Sequence, residues 1–335
     1  MSTNTRKVKI VGTGKYLPGQ PISDSEMDER LGVAPGWTRR MTDVSFRHFA
    51  GADDTASAMG AKAAFEALKA ANLQFSDLDC LVSASGTKEQ ALPCSAVFIQ
   101  RAMGMEQSGV PAFDIDSTCL SFLAALDAMS CMIATGRYKY VLIVSSEIAS
   151  VGMDWRNKES AALFGDGAAA VVIGPSGDGD PSGIIGASLR TFGTGAPYSE
   201  IRAGGTKRHP RGPLPAQPED YLFQMDGPAI FKMASRLLPA FTDELLKAAG
   251  TRMSDFKAVI PHQGSAMAVR LMRKKLDISE QQLVYITPDH GNTIAASIPM
   301  GLHETIRTSR IGRGDRVLLI GTAAGLTLGG LILDY

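Results

Sequence analysis

Cys119 stands between a short run, Phe113-Asp114-Ile115-Asp116-Ser117-Thr118, and a stretch with helical spacing, Leu120-Ser121-Phe122-Leu123-Ala124-Ala125-Leu126. A thiol placed there meets the positive end of a helix dipole and backbone N–H groups that the helix leaves unpaired, and both favour thiolate. That is a setting for a nucleophile. Cys94 competes for the role, because Leu92-Pro93-Cys94-Ser95 opens a second helical stretch. A free cysteine is also a common small packing residue, so the local pattern does not choose between chemistry and core at either position. Cys80 falls in a strand and Cys131 well inside a helix, where packing is the simpler role.

Two polar residues in the second half of the chain share a comparable setting. His262 follows the apolar run Val259-Ile260-Pro261, and Asn292 lies in Asp289-His290-Gly291-Asn292-Thr293, a glycine turn before a helix. Strand exits gather at the ligand-binding edge of an open α/β sheet, so the fold has the means to bring the two together. A neutral imidazole and an amide can hold a thioester carbonyl and stabilise the enolate left when carbon dioxide departs. Each also has a plainer role, as a turn residue or a satisfied polar group.

Positioning these residues takes strands and helices in alternation. Residues 8–13, 78–83, 112–115 and 140–145 read as strands; residues 56–71, a stretch after Pro93 and 119–134 read as helices. A second series begins with apolar runs at 167–174 and 183–189 and a long Gly-, Pro- and charge-rich excursion over 193–222. Helix 226–249, strand 258–261, helix 265–276, strand 283–287, helix 294–308 and strands 316–321 and 326–333 follow. Such alternation predicts a largely parallel sheet covered by helices, with the second half repeating the element order of the first.

Composition bounds the function. With 335 residues, 44% of them hydrophobic, the chain can form one large domain or two packed halves. Lys plus Arg and Asp plus Glu number 34 each, so no charge excess draws it to nucleic acid or a membrane, and an anionic partner must meet a local patch. The cysteines show no C-x-x-C pair and no metal-ligand spacing, which reads as free thiols in a reducing compartment. No run of about 18 apolar residues suggests a membrane span. Met1 to Lys7 leads straight into Val8–Gly12 without room for a signal peptide, so the expected location is the cytosol. Gly12-Thr13-Gly14 lacks the third glycine and the spaced acidic residue of a dinucleotide-binding turn, which argues against a nicotinamide enzyme.

Further segments join the Cys119 stretch: Trp37 and the basic residues after it, Phe164-Gly165-Asp166-Gly167-Ala168, Met225-Asp226-Gly227-Pro228-Ala229-Ile230-Phe231-Lys232, Pro261-His262-Gln263, Gly291-Asn292-Thr293 and a glycine-rich C-terminus. Together they resemble the thiolase superfamily, and within it the β-ketoacyl-acyl carrier protein synthase III group of condensing enzymes. The motifs run in order over nearly the whole chain. The resemblance implies a five-layered α/β/α/β/α thiolase fold of two similar halves, 1–175 carrying the nucleophilic cysteine and 176–335 the histidine and asparagine, assembled as a homodimer. It implies a decarboxylative Claisen condensation that needs no metal or redox cofactor. Cys119 takes an acyl group from acyl-CoA, and His262 and Asn292 assist decarboxylation of a malonyl thioester, whose enolate attacks the acyl-cysteine. The backbone N–H groups of Cys119 and of Ala324, in Thr322-Ala323-Ala324-Gly325, would form the oxyanion hole. Phe164 would flank the site, with Gly165-Asp166-Gly167 a turn that launches the next strand.

The chain also departs from the family pattern. Trp37 is kept as a contact for the CoA nucleotide, with Arg40 beside it, while Met41 stands where an arginine is usual and Lys158 takes the second adenine-contacting position. Lys232, Arg270, Arg273, Lys274 and Lys275 would supply the basic face on which an acyl carrier protein docks, although Met267 replaces an arginine near the histidine. Leu92 falls where a bulky Phe closes the acyl pocket of acetyl-using relatives. Room for a medium-chain primer is the expectation, each added buried methylene contributing roughly 0.8 kcal/mol. Two rivals are transfer to a non-malonyl acceptor and a non-catalytic acyl-CoA-binding protein. The joint presence of Cys119, His262 and Asn292 weighs against both.

Overall fold

A computed structural model describes residues 5–335. Met1 to Asn4, the start of the N-terminal run read as leaving no room for a leader, lie outside the described residues.

Two mixed sheets form the frame. The first runs Val8–Tyr16, Gly167–Pro175, Val141–Glu147, Cys80–Ser83, Ala112–Asp114 across its width. The second runs Ala258–Pro261, Arg316–Ala323, Thr327–Asp334, Gly183–Thr191. Among the described residues Cys80–Ser83 pairs in parallel with Val141–Glu147 and Ala112–Asp114, and Ala258–Pro261 with Arg316–Ala323, while the other ladders of the two sheets are antiparallel. The expectation of a largely parallel sheet is therefore corrected. In each sheet the strand that comes first in sequence lies antiparallel to the one that comes last, a long-range pairing that local alternation does not reveal.

Taken from Gly183–Thr191 outward, the second sheet has the strand order of the first: first, last, last but one, then the parallel strand. The fifth place is filled by a single residue. Leu283 bridges Val259 in parallel, and the rest of the stretch expected as strand 283–287 is irregular until the helical turn Thr287–His290. The Gln263 side chain accounts for this, because its Oε1 accepts the Ile286 N–H at 3.2 Å and the Thr287 hydroxyl at 2.9 Å in place of a strand partner. The sheets meet where Arg6 and Ile184 exchange two backbone hydrogen bonds of 2.9 and 3.0 Å.

Helices Ser121–Ala134 and Ser297–Arg307 are sandwiched between the sheets, and the largest apolar cluster gathers Leu123, Leu126, Ile298 and Leu302 with inward residues of both sheets. Outside the first sheet lie Ala56–Ala71, capped by the Thr55 hydroxyl, and Ser95–Ala102. Outside the second lie Gly227–Ala248 and Ala266–Lys275. The result is five layers, helix, sheet, helix, sheet, helix. The 193–222 excursion holds only 3-10 turns and a two-residue strand, Ser199–Glu200, that pairs with Gln224–Met225. Among the described residues no helix is long and apolar enough to cross a membrane.

Candidate active site

Cys119 sits in a single 3-10 turn, Thr118–Leu120, that feeds the central helix Ser121–Ala134. The turn is sharp: Thr118 adopts φ 49°, a region β-branched residues rarely occupy. Ser121 holds it, donating to the Thr118 carbonyl at 2.7 Å and accepting the Ser117 N–H at 2.9 Å. Cys119 is a half-buried residue, and the backbone N–H groups of Ala324 and of Cys119 itself, the two named above for an oxyanion hole, favour its thiolate. Thiolate, however, is not the resting form. Burial pushes the thiol up to about 12, with the Glu147 carboxylate adding to the rise, and the two N–H groups only partly oppose them. Desolvation outweighs the helix-end effect expected from sequence.

The second half brings its residues to the same place. His262 ends the Ala258–Pro261 strand, with its N–H on the Ile320 carbonyl at 2.8 Å. Across Gly321 it lies against the residue next to Cys119: a Cβ added at Gly321 would fall 2.7 Å from His262 Cβ and 3.2 Å from Leu120 Cδ2. The ring is buried, and its Nδ1 lies 2.8 Å from Ser297 Oγ. Burial lowers its pKa to about 4, so the imidazole is neutral at ordinary pH. Next to it, the fully buried Gln263 donates to the Pro261 and Val284 carbonyls at 2.9 and 3.2 Å, locking the strand exit to the segment that leads to Asn292.

Asn292 follows Gly291, whose φ of 67° suits glycine, and runs beside Leu163–Gly165: its N–H donates to the Leu163 carbonyl at 2.9 Å and its carbonyl accepts the Gly165 N–H at 3.1 Å. Its side chain accepts the Ile294 N–H at 2.9 Å and donates to the Gly264 carbonyl at 3.2 Å. The His262 ring edge borders the same glycine, since a Cβ at Gly264 would lie 3.3 Å from Nε2. Imidazole and amide thus share one backbone segment. Phe164, buried, bridges Asn292 and meets Phe223 edge-on at 5.3 Å. Asp166 accepts from Ala50 N, Ser150 N and Ser150 Oγ at 2.8, 2.9 and 2.5 Å, tying the start of the Gly167–Pro175 strand to two remote segments.

Two groups escaped sequence reading. Glu147 ends an entirely buried strand, and its carboxylate accepts from Gly86 N, Thr87 N and Thr87 Oγ1 at 2.6, 2.9 and 2.6 Å. Burial raises it to about 8 against these bonds. A charge closing the apolar run Val141-Leu142-Ile143-Val144 was its only signal. Ser297 had none beyond its place before a helix.

The outlying residues divide. Trp37 opens the short helix Trp37–Thr42 and packs with Met27, Leu31 and Ala161; Lys158 reaches the Gly32 carbonyl at 3.3 Å, so the two share a neighbourhood. Arg40 folds back onto the Pro35 carbonyl at 3.2 Å. Lys232 is exposed on its helix. Arg270 pairs with Asp43 and Arg273 with Glu280, at 2.8 and 2.7 Å, while Lys274 and Lys275 are exposed. Met41 and Met267 are exposed as well. Leu92, 81% exposed, lies on the surface instead of beside Cys119 of its own chain. Cys94 points its sulfur at the Ala112 carbonyl, 3.8 Å away. Among the described residues no group of three or more His, Cys, Asp or Glu is placed to hold a metal ion.

Residues 113–193 match the family model described as 3-oxoacyl-[acyl-carrier-protein] synthase III, and residues 246–335 match its C-terminal model. The β-ketoacyl-[acyl-carrier-protein] synthase III of Neisseria meningitidis serogroup B is 33% identical over 331 residues, 98% of this chain and 99% of that protein. The crystal structure of the Aquifex aeolicus VF5 3-oxoacyl-[acyl-carrier-protein] synthase III superposes with a TM-score of 0.88 at 31% identity, covering 98% of this chain and 100% of that one. The priming β-ketosynthase of the R1128 polyketide pathway superposes with a TM-score of 0.86 at 25% identity, over 99% and 98% of the two chains. The fold is the thiolase fold, and the chain belongs to the 3-oxoacyl-[acyl-carrier-protein] synthase III family of acyltransferase-type condensing enzymes.

Proposed function

We propose that this enzyme joins an acyl-CoA primer to a malonyl thioester through an acyl-cysteine at Cys119. One observation carries the reading: Cys119 stands in the turn beside Leu120, which meets His262 across Gly321, while a neutral His262 and Asn292 share the Gly264 segment. In the first half-reaction the thiol attacks the acyl carbonyl, the carbon–sulfur bond to CoA breaks, and the thiol's proton ends on the departing CoA. Ala324 N–H and Cys119 N–H hold the oxyanion. In the second, the malonyl thioester loses carbon dioxide, and its electron pair forms an enolate whose oxygen His262 and Asn292 stabilise. The enolate carbon attacks the acyl carbonyl, and Cys119 leaves as a thiolate that takes up one proton.

The primer is a medium-chain acyl-CoA. Support comes from Leu92, smaller and more flexible than the Phe of acetyl-using relatives, and placed on the surface where a second copy can carry it to the neighbouring site. Homodimer formation has its own support. Ala112–Asp114 is an outer strand, and Phe113 on it and Val97 on the adjoining helix are 37% and 38% exposed. Trp37, Arg40 and Lys158 receive the CoA nucleotide, and Lys232, Arg270, Arg273, Lys274 and Lys275 face an acidic carrier protein.

Intact-protein mass spectrometry tests the reading. Incubation with a panel of acyl-CoAs is expected to add one acyl group to the wild type and none to Cys119→Ala, with octanoyl-CoA acylating faster than acetyl-CoA. Malonyl-CoA or malonyl carrier protein then discharges the adduct as a β-ketoacyl product. No adduct from any acyl-CoA would sink the mechanism; acetyl-CoA matching octanoyl-CoA would sink the chain-length assignment alone.

A further inference from the structure

Ser297 is the first residue of the sandwiched helix Ser297–Arg307 and is fully buried. Its Oγ lies 2.8 Å from His262 Nδ1 and accepts the backbone N–H of Gln263 at 3.4 Å. A serine hydroxyl has one proton to give and two lone pairs to offer. The Gln263 N–H, whose direction is fixed by the backbone, takes one lone pair. Among the described residues the hydroxyl proton then has one hydrogen-bond acceptor, Nδ1 of His262. The reverse arrangement, Nδ1–H donating to Oγ, strands the serine proton in the interior without an acceptor, which is unfavourable.

His262 is itself buried and neutral, so its ring carries a single proton; the ring meets the Ser297 hydroxyl at Nδ1 and also hydrogen-bonds the Ile294 backbone, and the partner of one nitrogen decides what the other presents. The Nε2 edge borders Gly264, whose carbonyl Asn292 binds. We propose that Ser297 is a positioning residue that fixes His262 as the Nε2–H tautomer, presenting a donor and not a lone pair to the malonyl thioester carbonyl. The assignment rests on the condensing mechanism proposed above. A lone pair at Nε2 would repel the enolate oxygen that the site has to stabilise; a second N–H beside the Asn292 amide makes a two-donor cradle.

The test combines a spectrum with a comparison of half-reactions. In full-length protein labelled with 15N-histidine, one of the five imidazoles is assigned to His262 by its loss in His262→Gln. The wild type is expected to show that ring protonated on Nε2 and bare at Nδ1. In Ser297→Ala the ring becomes a mixture of tautomers, malonyl-CoA decarboxylation falls on the order of 10-fold, and acylation of Cys119 changes by less than twofold. Ser297→Thr keeps the hydroxyl and recovers the tautomer and most of the rate. A wild-type ring protonated on Nδ1, an unchanged tautomer in Ser297→Ala, or an equal fall in both half-reactions overturns the assignment. Should Ser297→Ala fail to fold, the wild-type spectrum decides. If the wild type neither acylates nor decarboxylates, the mechanism fails, and the spectrum still reports what Ser297 does to the ring.

Discussion

The Glu147 carboxylate raises the Cys119 thiol through space while hydrogen bonds from the Gly86–Thr87 turn hold it in place. Glu147→Gln removes the charge with little change in shape. The pH midpoint for alkylation of Cys119 by iodoacetamide is expected to move down. A midpoint that stays put would show that burial alone sets the thiol. The amide NH2 faces donors where an acceptor is wanted, so a stability loss of about 1–3 kcal/mol should accompany the change.

Glu147 and His262 give the enzyme opposite pH limbs. Glu147, ordinarily at 4.5, is raised to about 8 in the folded state, so its contribution is fully present below about pH 4.5 and is lost as pH rises through about 8. His262, ordinarily at 6.5, is lowered to about 4, so its contribution is intact above about pH 6.5 and is lost as pH falls through about 4. Urea midpoints measured across pH should therefore lose part of their alkaline decline in Glu147→Gln and part of their acid decline in His262→Gln. Parallel curves for wild type and variants would refute both assignments.

Gly321→Ala places a methyl group 2.7 Å from His262 Cβ and 3.2 Å from Leu120 Cδ2, so one of the two must move. A loss of about 1–3 kcal/mol in stability is expected, as for other overpacked interiors. Displacement of the imidazole predicts a fall in malonyl decarboxylation at least as large as any fall in Cys119 acylation. Stability and both rates at wild-type values would show that the backbone absorbs the methyl without cost.

Arg270 is exposed and tied to Asp43, a surface pair whose loss should cost less than about 1 kcal/mol in stability. Its removal in Arg270→Ala bears on the partner instead. If this face receives an acidic carrier, KM for malonyl carrier protein rises several-fold and more steeply at low salt, with KM for malonyl-CoA unchanged. Equal effects on both donors would place the carrier elsewhere.

What the sequence disclosed, it disclosed at the boundaries of elements. Cys119 and His262 each follow a strand and precede a helix, so local pattern marked their settings; the strand exit expected for Asn292 is instead the end of the helical turn Thr287–His290, and the family motifs assigned all three roles. Glu147 and Ser297 stayed hidden because their meaning lies in partners remote in sequence: Gly86 and Thr87 for one, His262 for the other. The stretch 283–287 misled for a related reason. Its β-branched residues suit a strand, but a side chain from Gln263 took the hydrogen bonds that a neighbouring strand would have supplied. Thiolate at Cys119 was over-read because helix position is visible in a sequence and desolvation is not.

The two sheets share one strand order, yet their outer margins differ. One ends in the three-residue ladder at Ala112–Asp114, and the other is blunted to the single bridge at Leu283. Had both margins been full strands, each copy could have offered a sticky end on either side, and copies could have added head to tail without limit. With irregular chain at the Leu283 margin, that side offers a single bridging residue in place of a ladder of unpaired backbone groups. The stretch that leads to Asn292 is thus also the margin at which backbone pairing of the second sheet stops.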